Sequence, residues 1–401
     1  MAKRSGNSGN KKRIGFAKKI LTLFLAVLLV FLSEYNISLK DGGEDSWLEQ
    51  IWENVEELFK DSTDTGSYSQ ENTDVDTKNT QKDYQTYGDS KLEVYFFDVE
   101  QADSILLMTE DKVMLVDTGN AGDATPQNKL VEGNINLTYE LNRLGIDYID
   151  ILVATHAHED HMGSMYKIIN TFDIGDLYAN ATVEEVQEKG FYKRFIKAVE
   201  SKNLHWIAPT TLSEEQLIAK VEEYNSQLDD SEVGELVYNK EDYIRVGDKI
   251  AFGDANITIL APNSAEYSDI NDTSIVLLVE FEGIKMLLTG DAGEVSEKEI
   301  LAYANTHNID LNCDILKVGH HGSRTASTEA FIAAVDPEYS IIMVEAGHAY
   351  GLPDEDVIER LESQGSTIFQ TTNEGDIKLT IDDGEFYFDV TYEHKEKQDE
   401  V

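Results

Sequence analysis

A single stretch limits this chain more than any other: Ile151 to Ser164, reading ILVATHAHEDHMGS. It opens as a continuous apolar run, Ile151-Leu152-Val153-Ala154, of the kind a strand covered on both faces needs. Four candidate metal ligands then fall within six residues: His156, His158, Asp160 and His161. In an extended segment alternate side chains share a side, so His156 and His158 converge. Asp160 and His161 follow as the chain turns, and face a second point close by. Imidazole and carboxylate suit zinc, with manganese or iron as alternatives. The chain holds nine histidines in 401 residues, so three of them within six positions point to a site rather than to a His-rich surface loop. Gly163 and Ser164 lie where a helix could begin.

Three further strand-end signals accompany this stretch. KVMLVDTG ends a strand in Asp117, KMLLTGD ends one in Asp291, and DILKVGHHGS ends one in His320-His321. A binuclear hydrolase needs such a set, because two cations held close together require a bridging acid and clamp the attacking and leaving oxygens. Asp291 suits the bridge, since Gly290 before it permits close backbone approach. One of His320 and His321 completes the second metal, and the other contacts substrate or donates a hydrogen bond. Asp117 can orient a ligating histidine or touch metal itself. Each signal alone is an ordinary turn. In this order, each after a β-run, they point to one site.

The rest of the chain fits around them. Residues 1–19 carry seven Lys and Arg and no acid, and Ile20 to Leu32 is an apolar run broken only by Thr22. That reads as a signal-anchor or signal peptide over residues 1–33, which places the remainder outside the cytoplasm, anchored to the membrane or secreted. Residues 34–90 read as a tether, with an amphipathic helix at 46–60 and a polar stretch after it. The folded domain begins near Lys91 and runs to 392, with a charged tail at 393–401. Its order is strand, strand, strand, a helix ending at Gly145, the organising strand and the metal loop. Residues 181–245 read as a helical insert, although LHWIAP looks like a strand start. Strands then resume with ITILAP, a hairpin around Glu282-Gly283, and the runs that include Ile315 and Ile341. A short helix over Pro353–Ser363 and a closing hairpin through Asp383-Gly384 finish the domain. No internal repeat stands out, although two β-rich halves flank the insert. The net charge of −44 excludes loose electrostatic affinity for polyanions. The one cysteine, Cys313, excludes an intramolecular disulfide and a Cys-based metal site.

The order DTG, H-x-H-x-D-H, TGD, HHGS resembles the metallo-β-lactamase superfamily across residues 91 to about 390. Within it the chain is similar to the extracytoplasmic hydrolase domain of the competence protein ComEC. The matching stretches are DVEQADSIL, GIDYIDILVATH, NDTSIVL and LKVGHHGS. The resemblance implies an α/β fold, a four-layer αββα sandwich, with two bound divalent cations, zinc or manganese. It implies a metal-dependent hydrolase that uses a metal-activated water, in that family on a DNA strand during uptake. Metal one would take His156, His158 and Asp291, and metal two Asp160, His161, Asp291 and His320 or His321. Asp160 and His321 are the candidate catalytic residues, with Asp103 beside Asp117 as a supporting or ligating carboxylate. Lys317, Ser323, Arg324 and Thr325 flank the HHGS turn and could hold a phosphate. Asn271 and Ser274 belong to the NDTSIVL match and are counted with them. Departures are Glu100 and Ala102 where the family has glycines, and Leu352 where its Y-G-H-P motif has histidine; His348 is the candidate substitute. The superfamily's usual histidine between the two halves is not evident; His205, in LHWIAP, is the one candidate in the interval and reads more as a strand start. The sequence is expected to be a stand-alone relative without the membrane channel of ComEC. The expected substrates are a small phosphodiester or a nucleic-acid strand. Hydrolysis of another ester, a lactone or a β-lactam, and a catalytically weak metal-binding interaction module, stay open as alternatives.

Overall fold

Two β-sheets carry the described part of the chain. The computed structural model describes residues 91–120, 137–180, 186–227, 237–345 and 347–391, all within the unit Lys82–Val401. The expected anchor at 1–33, the tether at 34–90 with its helix, and the tail lie outside the described residues. No helix among those described is long and apolar enough to cross a membrane.

The strands are β1 Lys91–Phe96, β2 Ile105–Met108, β3 Val113–Val116, β4 Tyr148–Ala154, β5 Asp173–Ala179, β6 His205–Thr210, β7 Tyr243–Arg245 and β8 Lys249–Phe252. They continue with β9 Ala255–Ala261, β10 Val276–Phe281, β11 Ile284–Leu288, β12 Ile315–Lys317, β13 Tyr339–Ile342, β14 Thr367–Gln370, β15 Ile377–Asp382 and β16 Glu385–Val390. One sheet has the order β16-β15-β1-β2-β3-β4-β5-β6-β7, the other β14-β13-β12-β11-β10-β9-β8. The result is a mixed α/β sandwich. Alternation along β10 to β13 shows its layers. Leu277, Val279, Met286, Leu288, Ile315 and Ile341 join the core shared with the first sheet. Val276, Leu278, Leu287, Leu316 and Ile342 face the other way. There they meet Ile300 of the helix Glu294–His307, Phe331 of the helix Glu329–Val335, and Val357 and Leu361 of the helix Glu355–Ser363. The period-two pattern of each strand thus buries both faces, as a strand between two apolar layers must.

The expected hairpins form. Glu282 and Gly283 both have positive φ between β10 and β11, and Asp383 and Gly384 do the same between β15 and β16, the conformation a two-residue hairpin turn requires. The helix ending at Gly145 is seen as Leu137–Arg143. Residues 181–245 differ from the expectation. The helices Gly190–Lys202 and Glu214–Gln227 are there, but β6 and β7 lie between and after them and extend the first sheet in parallel.

The absence of an internal repeat is also corrected. β1 to β5 pair antiparallel, antiparallel, parallel, parallel, and β9 to β13 pair in the same sequence. The register repeats as well: Met114 opposes Ile151 in one half, and Met286 opposes Ile315 in the other. Just before those pairs, Asp150 accepts the main-chain N–H of Val113 at 3.0 Å, and Asp314 accepts that of Lys285 at 2.7 Å. The two halves share geometry and a carboxylate clamp but little sequence, which is why the repeat does not show in the residues.

Where the first and last parts of the domain meet, the main-chain N–H of Asp98 donates to Asp376 at 2.8 Å. Burial pushes the Asp98 carboxyl up to about 7, and the Asp376 charge adds to it. Burial likewise pushes Asp376 up to about 6. Both hold a proton more tightly than in the unfolded chain, where such carboxyls titrate near 4 (~3.9). Their contribution to stability is therefore full below about pH 4 and is lost as pH rises through 6 to 7. Asp376→Asn keeps an acceptor for Asp98 and removes the charge. It is expected to stabilise the fold at pH 8 by roughly 1 kcal/mol, after discounting for partial exposure, and to change little at pH 4. Thermal melts at the two pH values check this, and a lower melting point at pH 8 than the parent's would refute it.

Candidate metal centre

Four strand ends deliver the site. β3 ends one residue before Asp117, which takes a positive φ of 58°. Its carboxylate accepts from the Thr155 main-chain N–H at 2.8 Å and from the Thr155 hydroxyl at 2.6 Å. The same group lies 2.7 Å from His161 Nδ1. Asp117 therefore ties the end of β3 to the end of β4 and holds the His161 proton on Nδ1, which leaves Nε2 as a ligand atom.

β4 runs into Thr155, His156 and His158, and the turn Glu159–Met162 brings Asp160 and His161 round. β11 leads through Thr289 and Gly290 to Asp291. Gly290 has φ 52°, and a Cβ there would meet Thr155 Cβ at 3.0 Å and Ser274 Oγ at 3.1 Å. Only glycine satisfies both the backbone angle and the contact. β12 leads into a 3-10 turn, Gly319–Gly322, in which His320 and His321 both take left-handed backbone, φ 50° and 52°. Two consecutive non-glycine residues in that region store strain of the kind found at functional sites.

These ends converge. Asp160, His161, Asp291 and His321 each place one ligand atom within 4.8 Å of the others. His161 Nε2 and His321 Nε2 lie 3.3 and 3.6 Å from Asp291 Oδ2, and His321 Nε2 lies 3.4 Å from Asp160 Oδ2. His161 Nε2, His321 Nε2 and Asp291 Oδ1 are buried with no hydrogen-bond partner. Buried polar atoms are normally satisfied, so three orphans on residues that cluster this closely fit a cation. The electrostatics agree. Burial works against protonation of His161, yet the carboxylates of Asp291, Asp117 and Asp160 outweigh it and hold its pKa well above the imidazole norm. Burial also opposes ionisation of Asp291, and His161 and His321 hold it low. Such a concentration of buried carboxylate asks for positive charge.

His156 and His158 form a second, looser part. Their Nε2 and Nδ1 atoms are 3.0 Å apart, and His156 Nε2 lies 4.0 Å from Asp291 Oδ2. Burial drives the His156 pKa well below the imidazole norm, so it is a neutral ring able to ligate. Of the two histidines in the turn, His321 joins the cluster with a side chain 2% exposed, whereas His320 is 27% exposed with Nε2 3.9 Å from Asp291. The His320 ring is held by Thr325 at 2.8 Å and faces the mouth of the site.

Other expected residues fall elsewhere. Lys317 is wholly buried and paired with Asp103 at 2.7 Å, so its ammonium is not part of a phosphate-holding loop. Ser274 is buried, accepts the Asp291 main-chain N–H at 3.1 Å and lies 3.4 Å from His156 Nδ1; it positions ligands. Asn271 is buried in the turn before it, where its carbonyl accepts from Ser274 at 3.0 Å. Ser323 bonds Thr325 at 3.0 Å. Arg324 is exposed and bound to Asp354, and His348 packs on Tyr350 with ring centroids 4.8 Å apart. His205 sits between Asp176 at 2.8 Å and Asp242 at 3.5 Å on β6, away from the cluster. The sequence reading passed over Thr155, and also Asn180, which bridges the carbonyls of Thr155 at 3.0 Å and Thr273 at 2.6 Å. Thr155 sits beside a metal-ligand run, and that adjacency was the one signal available.

Comparison with known proteins agrees with this geometry. The chain is 25% identical over 298 residues to ComE operon protein 3 of Bacillus subtilis, covering 72% of this chain and 33% of that protein. It is 23% identical over 296 residues to competence protein ComA of Neisseria gonorrhoeae, covering 74% and 33%. It thus spans about a third of the length of the curated relatives it matches. A solved metallo hydrolase of Ignicoccus hospitalis, Igni18, aligns with TM-score 0.40 and 13% identity over 73% of this chain and 99% of that one. Residues 97–348 match the family described as the metallo-beta-lactamase superfamily. That match takes in every strand end that supplies the cluster, and the chain belongs to the metallo-beta-lactamase superfamily as a hydrolase of that fold.

Proposed function

We propose that this chain is a metal-dependent phosphodiesterase that cleaves a small phosphodiester or a nucleic-acid strand presented by a partner. The observation that carries the reading is the set of unpartnered Nε2 and carboxylate atoms at His161, His321 and Asp291, with His320 and Asp160 open to the mouth. Bound there, divalent cations such as Zn²⁺ or Mn²⁺ would supply Lewis acidity and lower the pKa of water. Asp160, His161, Asp291 and His321 would hold one cation, and His156 and His158 with Asp291 a second. Asp160, with its side chain 31% exposed, is placed to take a proton at the open edge. His320 is placed to donate a hydrogen bond to a substrate oxygen. The similarity to competence proteins supports a phosphodiester. The N-terminal residues 1–33 are proposed to hold the domain outside the cytoplasm.

The basic side chains beside the HHGS turn in sequence qualify the choice of substrate. Arg324 is engaged by Asp354 and Lys317 by Asp103. A net charge of −44, with those cations engaged, favours a small or presented substrate over free polyanion. It also favours a second reading, hydrolysis of a neutral ester or lactone.

Bis-p-nitrophenyl phosphate is expected to be hydrolysed only with metal present. Asp291→Ala and His161→Ala should each lower turnover by at least about 100-fold with loss of bound metal. His320→Ala should keep the metal and lose roughly 10- to 100-fold in turnover. Two bound cations with no phosphodiester turnover, but turnover of a lactone, would select the second reading. Cleavage of single-stranded DNA, where seen, should depend weakly on salt. With few free cations at the mouth, the log–log slope of affinity against salt should be shallower than about −1.5. A steep slope would show a basic track and count against this choice of substrate.

A further inference from the structure

We propose that Lys317 is a positioning residue of the metal centre: through Asp103 it holds the His321 ring so that Nε2 is presented to Asp160 and Asp291. The inference rests on the metal-centre reading and not on the choice of substrate.

Lys317 closes β12 on the face that looks between the sheets, the face of Ile315 two residues earlier. Its neighbours in register are Leu288 and Ile341, both in the shared core. The side chain is 0% exposed. An ammonium in such surroundings is costly unless it is matched, and a buried ion pair is not by itself a source of stability. Its ammonium meets Asp103 Oδ2 at 2.7 Å and donates to the Val318 carbonyl at 3.0 Å.

The molecule contains its own comparison. In the repeated register Leu288 opposes Lys317, and Val116 opposes Val153. The first half puts a fully buried valine where the second half puts the lysine. The fold accepts an apolar side chain at this position, so the lysine answers a different demand.

Asp103 shows what that demand is. Its main-chain N–H donates to the Asp160 carbonyl at 3.2 Å, and its carbonyl accepts from Gly119 at 2.9 Å. The carboxylate is thereby fixed beside the ligand turn. Its Oδ1 makes no hydrogen bond and lies 3.4 Å from His321 Nδ1. That nitrogen also lies 2.9 Å from the Met343 carbonyl. The Met343 carbonyl accepts from Nδ1 and the Asp103 carboxylate beside it favours a proton there, so Nε2 is left with a lone pair for the cation. Lys317 anchors the carboxylate that makes this arrangement, and it reaches His321 from the opposite side to the metal.

The test uses the full chain, stripped of metal and titrated with Zn²⁺ against a chromogenic chelator. Melting in EDTA reads the fold separately. The variants are Lys317→Met, Asp103→Asn and the two together, with Val335→Ala as a control that only loosens the outer core. Each single variant is expected to weaken one equivalent of Zn²⁺ by about 10- to 100-fold, beyond any effect of the control. The double variant leaves no buried charge unmatched, so it should recover the parent's melting behaviour while staying weak for Zn²⁺. Histidine NMR of the metal-free chain at alkaline pH, where the ring is neutral, should show His321 as the Nδ1–H tautomer in the parent and as a mixture in Asp103→Asn. Parent-like Zn²⁺ binding by a folded double variant would overturn the assignment. So would weakening no greater than in Val335→Ala, or a double variant that does not fold, since the pair would then be structural alone. A parent chain that binds no Zn²⁺ would instead overturn the metal-centre reading beneath it.

Discussion

The structure depends on bringing carboxylates together inside a protein. Asp103, Asp117 and Asp291 are each about 1% exposed, and Asp160 reaches the same cluster from its edge. Like charges at this spacing repel strongly in a medium poorer than water at screening them. Each is held by specific means. Asp117 is clamped by Thr155 and His161, Asp103 by Lys317, and Asp291 by the Ser274 hydroxyl at its main-chain nitrogen. The backbone yields to the same demand, with left-handed residues at Asp117, His320 and His321. The charge that remains unmatched is what makes the centre fit a divalent cation.

Two similar halves solve the placement problem from opposite sides. Parallel strands β3 and β4 in one half, and β11 and β12 in the other, end at the same level because their registers match. The clamps by Asp150 and Asp314 at the far ends fix those registers. A slip of one residue would turn each ligand to the opposite face. The halves then diverge in what they supply. The first gives an extended pair of histidines and a turn with Asp160 and His161. The second gives a single acid after Gly290 and a histidine in a strained turn.

The ligand run was legible because its chemistry is local: His156, His158, Asp160 and His161 are nearly adjacent, and an apolar strand precedes them. Asp291 and the HHGS turn were legible as strand ends followed by glycine. The choice of His321 over His320 was not, since two adjacent residues differ only in backbone angle and in which way the turn aims them. Lys317 was misjudged for a related reason. A lysine beside a polar turn reads as a surface cation, and nothing local shows that its partner is Asp103, more than two hundred residues earlier. Ser274 has the same history, because its contact with Asp291 spans a hairpin. β6 and β7 were obscured by the helices around them, and the repeat by divergence of side chains over a shared backbone.

The distribution of charge bears on how substrate could arrive. The chain carries −44, and the two cationic side chains next to the HHGS turn are already committed to Asp103 and Asp354. Attraction of an anion would then fall to the bound cations alone. Salt and the acidic surroundings confine that attraction to about a Debye length, roughly 8–10 Å. A protein arranged this way does not draw in long polyanions from a distance. Under the proposed function it would act on what is small enough to diffuse to the mouth, or on what is delivered there. For the present domain, the same reasoning makes the partner or the size of the substrate, rather than the metal chemistry, the variable that decides what it cleaves.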